Sequence, residues 1–394
     1  MHLARKRKFV LIAALSLLVI GAVYFPHIRL GVLTALFIED VLDEKTVSTP
    51  QHGTLAWVTP TPVVKSVLIP HDAREIRADL YYLPNEKKRA AILLTHGIIE
   101  EGKDDPRLVR FAHSLARAGF VVLVPELAGM KALKVVLSDV DDIVTSFRYL
   151  ETLNDLVDDR KMGLLGFSYA AGPTLMAAAH PAIRHRVKFV TTFGGYYDPV
   201  NVIRFITTGY YEYRNEKGFL NPEPYGKWVF FVNNLDYVES PKDRELLKEI
   251  FRKEEEQKRD QVRPFVDQLT PQGKYLYELL INEDPKRVGD LVQKIDPRVR
   301  RYLEKLSMAS VVPSIDAYFI IGHGSGDPLI PYTESLRLAD AVRDKSQVHV
   351  VILRLFTHVD PARKRFSLTE FFTIRLPSMM EFYFLVYDLL RQQW

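Results

Sequence analysis

The chain has 394 residues, 47% hydrophobic and 11% aromatic, enough to bury a large core, so disordered and fibrous classes are excluded. Its net charge of +4 resides in the run Arg5-Lys6-Arg7-Lys8; beyond it 49 basic residues face 49 acidic ones, which gives no spread of charge for nucleic acid to read. The absence of cysteine removes disulfides, thiolate metal sites and a cysteine nucleophile.

The basic run, 1–8, reads as a cytosolic tail. Residues 9–25, FVLIAALSLLVIGAVYF, carry no charge. At about 1.5 Å per residue, this length covers most of a hydrocarbon core of roughly 30 Å, and no A-x-A-like cleavage site follows Gly21. The expectation is an uncleaved transmembrane signal-anchor. The positive-inside rule then places the N-terminus in the cytosol and the body outside the cytoplasm, in the periplasm if the source is bacterial. LGVLTALFI, 30–38, reads as a short helix on the domain surface. Within 26–62, Pro50, Pro60 and Pro62 among small polar residues indicate a linker.

From residue 63 the pattern changes. Residues 63–84 alternate around HDARE, a hairpin signal. RAAILLTHG (89–97) is a continuous apolar run ending in a turn, as a buried parallel strand requires. RLVRFAHSLARAG (107–119) has helical period and stops at glycine. FVVLVPELAG (120–129) is strand then turn, and 138–153 is helical, with Ser138 expected as its N-cap. KMGLLGFSYAAGPTLMAAAH (161–180) runs strand, turn, helix. VKFVTTFGG (187–195) is a further buried strand. The alternation predicts an α/β fold with a mostly parallel sheet flanked by helices.

The alternation stops over 199–312, where charged stretches of helical period such as 240–262 predict a mainly helical insertion with solvated faces. Sheet logic returns with SIDAYFIIGHGSGDPLIP (314–331), the helix SLRLADAVRD and a last strand, QVHVVILRLFTH (347–358). An amphipathic helix closes the chain, its aromatic stripe read as core packing. The expected units are 63–198 and 313–394 as one body and 199–312 as a cap.

Acyl transfer at neutral pH needs a nucleophile, a base, an anion that orients the base, and donors for the oxyanion. Gly166-Phe167-Ser168-Tyr169-Ala170 follows G-x-S-x-G with alanine last, and its strand–turn–helix setting makes Ser168 the nucleophile candidate. His358, just past the last strand, is the base candidate. Asp327, in a Gly-rich turn after a buried strand, is the acid, with Asp198 in GGYYDP as the alternative. The backbone N–H groups of Tyr169 and Ile98 are the expected oxyanion donors, and His96 reads as structural. No dinucleotide, P-loop or H-E-x-x-H motif is present, so neither cofactor nor metal is expected.

These pieces together, the HG turn at 96–97, GFSYA at 166–170, GHGSGDPLIP at 322–331 and His358, resemble the α/β-hydrolase superfamily from about residue 63 to the end. The resemblance implies a Ser168–Asp327–His358 triad beneath an inserted cap. Two departures stand out: Ala170 ends the elbow, and no glycine precedes His358. The function expected is a membrane-anchored serine hydrolase, carboxylesterase-like, acting on a small and apolar acyl ester through an acyl-enzyme. The alternatives are a peptidase- or thioesterase-type enzyme of the same fold, in which Glu212, Glu216 or Glu223 could hold a substrate amine, or a non-catalytic binding protein.

Overall fold

The computed structural model describes residues 25–42, 53–84, 87–256, 258–354 and 375–394. A helix α1 spans residues 25–42. It is followed by strands β1 (Val63–His71), β2 (Arg74–Tyr82) and β3 (Arg89–Thr95), helix α2 (Pro106–Ala118), β4 (Val121–Pro125), α3 (Ala128–Lys131), α4 (Ser138–Thr152), β5 (Val157–Phe167), α5 (Ala171–Ala179) and β6 (Val187–Phe193). The insertion supplies α6 (Pro199–Thr208), β7 (Tyr210–Tyr213), β8 (Glu216–Phe219), α7 (Pro224–Phe231), α8 (Pro241–Glu255), α9 (Arg263–Val266), α10 (Pro271–Ile281), α11 (Val288–Lys294) and α12 (Pro297–Lys305). The body closes with β9 (Tyr318–Gly324), α13 (Thr333–Ala341), β10 (Val348–Leu353) and α14 (Leu376–Arg391).

Eight strands form one sheet in the order β1-β2-β4-β3-β5-β6-β9-β10. The pairs from β4 through β10 are all parallel, while β1–β2 and β2–β4 are antiparallel. The hairpin expected at HDARE is present, with His71 opposite Arg74 and Asp72 in the left-handed region at φ 50°. One face of the sheet is covered by α4, α5 and the insertion; the other by α1, α2 and α14. The buried parallel strands are near-continuous apolar runs because both faces are covered.

Several helices begin the same way. Asp105, Asp198, Ser240, Thr270 and Asp296 each accept a hydrogen bond from a backbone N–H of the first turn, and each is followed by proline at the first helical position. Proline there loses no helical hydrogen bond and presets φ. Helix α4 departs from expectation. Ser138 is its first helical residue, not its cap, and no side chain caps Leu137. On α8 the charged face carries the pairs Glu245–Lys248 and Glu249–Arg252, while Leu247, Ile250 and Phe251 face the core. The insertion is not all helix. Tyr210–Tyr213 and Glu216–Phe219 form a hairpin turned at Arg214, φ 54°, and the Arg337 guanidinium lies 4.3 Å from the Tyr213 ring centroid.

The N-terminal segment requires a correction. Among the described residues no helix is long and apolar enough to cross a membrane, which overturns the expected signal-anchor, the membrane contact and the extracytoplasmic placement drawn from it. Residues 9–24 lie outside the described residues. Helix α1, which follows them, is amphipathic: Leu30 and Phe37 are buried against the body, and Asp40 accepts from the Leu55 N–H and the Thr54 hydroxyl, both at 3.1 Å. Burying a leucine or phenylalanine side chain contributes about 1.5–3 kcal/mol, so this face is stabilised by the domain. The surface helix expected at 30–38 is part of α1. From α14, the Tyr383 hydroxyl donates to the Gly31 carbonyl at 3.1 Å.

Candidate active site

The register places the site. Phe167 at the end of β5 pairs with Phe193 of β6, Phe193 with Gly322 of β9, and Gly324 with Leu353 of β10. The residues that follow these strand ends therefore emerge along one carboxyl edge, where open parallel sheets form their sites. Ser168 leaves β5 there, Asp327 follows β9 there, and the chain beyond β10 departs from the same edge at Arg354. His358 lies outside the described residues, as does the rest of 355–374.

Ser168 sits at the corner between β5 and α5 with φ 54°. A non-glycine residue held in the left-handed region costs on the order of 1 kcal/mol or more, and such strain clusters at functional sites. Small neighbours make the bend possible. A Cβ on Gly166 would lie 2.5 Å from Thr174 Oγ1 and 3.0 Å from both Ala170 O and Thr95 Oγ1. Ala170, in the motif's last position, is fully buried. Behind the corner the Thr95 hydroxyl donates to Leu165 O at 3.1 Å and lies 2.8 Å from the Thr174 hydroxyl, joining β3, β5 and α5. Neither threonine stood out in the sequence, because nothing local marks their meeting.

Asp327 is fully buried. One carboxylate oxygen accepts from the Leu329 and Ile330 N–H groups at 2.8 and 3.0 Å. The other lies 3.3 Å from His323 Nε2, which is also 2.9 Å from Ile330 O. Both neighbours of Nε2 are acceptors, so Nε2 carries the proton and Nδ1 accepts from the Ser335 hydroxyl at 2.7 Å. His323, within the quoted Gly-rich motif yet unassigned by it, stiffens the loop that holds Asp327. The alternative acid, Asp198, is half-buried and spends a carboxylate oxygen on the Val200 N–H at 2.8 Å, as the cap of α6. Its own N–H donates to Glu334 at 2.7 Å, a carboxyl pushed up to about 7 by burial.

His96 is held at both nitrogens: Nε2 accepts from the Leu127 N–H at 2.9 Å, and Nδ1 donates to Gly97 O at 2.8 Å. Burial lowers the pKa of its imidazole, as suits a structural group. Ile98 follows this turn, half-buried against the core, and Tyr169 is the second residue of the turn Ser168–Ala170 that leads into α5. Asp139 accepts from the N–H groups of Gly129 and Met130, both at 3.1 Å, and burial pushes it up to about 7. The insertion is tied over this region. The Tyr237 and Tyr302 hydroxyls both donate to Val135 O, at 3.0 and 2.6 Å, and the Glu223 N–H donates to Pro328 O at 2.9 Å, next to Asp327. Glu212 and Glu216 lie exposed on the β7–β8 hairpin, bonded to Tyr210 and Tyr332.

No protein-family model and no curated protein matches the chain. Among solved structures, the uncomplexed acylaminoacyl peptidase of Pyrococcus horikoshii matches with a TM-score of 0.50 and 13% identity over 86% of this chain. The match covers 43% of that enzyme, so the chain spans less than half its length. Hypothetical protein PA2218 from Pseudomonas aeruginosa matches with a TM-score of 0.47 and 15% identity, over 85% of this chain and 95% of that one. Est1E from Butyrivibrio proteoclasticus gives 0.42 and 14%, over 83% and 98%. At such identities the likeness concerns the fold. With its mostly parallel sheet flanked by helices, the chain has the α/β-hydrolase fold.

Proposed function

We propose that the protein is a serine hydrolase that cleaves a carboxylic ester through an acyl-enzyme. The observation that carries this reading is Ser168 held at positive φ on the strand–helix corner, at the sheet edge where buried Asp327 also emerges. Ser168 Oγ attacks the acyl carbon as His358 takes its proton, with Asp327 orienting the imidazole. The N–H groups of Tyr169 and Ile98 receive the oxyanion. The carbon–oxygen bond to the leaving alcohol then breaks as His358 returns the proton to it. Water, deprotonated by the same histidine, attacks the acyl-enzyme and releases the acid and the serine. The fluorophosphonate-labelling test is made on wild type and Ser168→Ala: label is expected on the first and absent from the second at unchanged circular dichroism. Label persisting on the variant would exclude Ser168.

A second reading is a peptidase. It is favoured by Glu223, an exposed carboxylate whose backbone is bonded to Pro328 beside the acid. It could hold a substrate amine. Faster cleavage of aminoacyl p-nitroanilides than of matched esters, lost in Glu223→Gln, would select it.

A further inference from the structure

Tyr169 and Tyr196 stand beside the nucleophile with their rings stacked, centroids 5.6 Å apart and 12° between planes. Tyr196 is 2% exposed, and the hydroxyl oxygens of both are shielded from solvent. Neither hydroxyl makes a hydrogen bond of normal geometry with any group among the described residues. A bond between the two would use one of their two hydrogens and leave the other without an acceptor. Elsewhere the chain satisfies its phenols: Tyr213, Tyr237, Tyr302, Tyr318 and Tyr332 each donate to a carboxylate or a carbonyl. The Tyr196 hydroxyl is accommodated over the first turn of α5 because residue 172 is glycine; a Cβ there would lie 2.2 Å from it. Phenylalanine would keep the stack without burying an unused polar atom, so ring packing does not account for the hydroxyls.

We propose that the Tyr169 and Tyr196 hydroxyls form a donor pair for an uncharged oxygen acceptor within the acyl part of the substrate, such as an in-chain ketone or amide carbonyl. This rests on the hydrolase reading above and names its substrate class. The acceptor is neutral because burial disfavours charge here: it raises the pKa of Tyr169, Tyr196 and Tyr302 and holds Asp139 near 7. Beyond the pair, Tyr237 and Tyr302 form part of the wall of an apolar cavity of about 40 Å³, lined also by Ile203, Phe231, Leu279 and Leu303, which would receive the end of the chain.

The test compares p-nitrophenyl hexanoate with its 3-, 4- and 5-oxo analogues on wild type, Tyr169→Phe and Tyr196→Phe. One oxo ester is expected to show kcat/KM about tenfold above the plain ester, the size of one good hydrogen bond, and the ratio is expected to fall toward one in the phenylalanine variants. Calorimetric binding of the corresponding ethyl esters to Ser168→Ala is expected to show the same preference without turnover, and to lose it when Tyr196→Phe is added. If no hydrolysis occurs but this preference remains, the hydrolase reading fails and the donor pair stands. Equal binding of oxo and plain esters, or a preference unchanged in both phenylalanine variants, overturns the donor pair.

Discussion

The Thr95 and Thr174 hydroxyls meet at 2.8 Å directly behind Ser168, so the strand that ends in the HG turn and the helix that follows the serine are tied at the corner. Gly166 is the only type of residue that leaves room for that meeting. Gly166→Ala would press a methyl group against both threonines and the Ala170 carbonyl. It is expected to cost about 1–3 kcal/mol in urea unfolding and to lower fluorophosphonate labelling with it.

Ser168 itself carries left-handed strain. Ser168→Gly relieves it, whereas Ser168→Ala keeps a Cβ in the same backbone conformation. Glycine is expected to be the more stable of the two inactive variants, by about 1 kcal/mol net of its larger unfolded-state entropy. Urea midpoints measured side by side decide this; an alanine variant at least as stable as glycine would mean that the corner relaxes.

Asp327 has a structural duty beside its proposed chemical one. Asp327→Asn keeps an oxygen for the Leu329 and Ile330 N–H groups but loses the charge that orients a base. Ester turnover should fall by about 10⁴, and the thermal midpoint should fall too, because the buried amide NH2 now faces the His323 Nε2–H, donor against donor. Asp327→Ala leaves both buried donors unpaired and should cost a further 2–5 kcal/mol or about that. Turnover retained in Asp327→Asn would move the acid role elsewhere, Asp198 being the next group to test.

Stability should depend on Asp139 in a particular sense. Its carboxyl, ordinarily near 3.8, is held at about 7 in the fold by burial. Between those values the folded chain binds the extra proton and the unfolded chain does not. Stability is therefore lost as pH rises from about 4 to 7, by up to about 1.4 kcal/mol per pH unit from this group. Asp139→Asn is expected to flatten that part of the urea-midpoint profile; superimposable slopes in wild type and variant would refute it.

The link between insertion and body can be probed at Tyr302. Its hydroxyl shares Val135 O with Tyr237, and the two rings stack with centroids 3.8 Å apart. Tyr302→Phe should cost about 1 kcal/mol, and Tyr302→Ala about 2–4 kcal/mol as the stack is lost. Hydrogen exchange over 232–238 should quicken in the alanine variant first.

What could be read from the sequence was what short stretches of backbone decide. Apolar runs broken by glycine turns disclosed the parallel strands, and Gly166-Phe167-Ser168 disclosed the corner, because strand period, glycine freedom and a helix start are local properties. The hairpin at 210–219 was missed within a stretch of helical charge pattern, since its tyrosines pair across strands and not along one. The membrane span expected at 9–25 has no counterpart among the described residues, and α1, which follows, belongs to the domain through Leu30, Phe37 and Asp40. Only the tertiary structure decided that Asp327 is fully buried against His323, that two threonines seventy-nine positions apart meet behind the serine, and that two phenols beside it are buried together with no acceptor but each other among the described residues. Those facts depend on which groups are shut away from water together, and burial of one residue by another far along the chain leaves no mark on either residue's own neighbourhood in sequence.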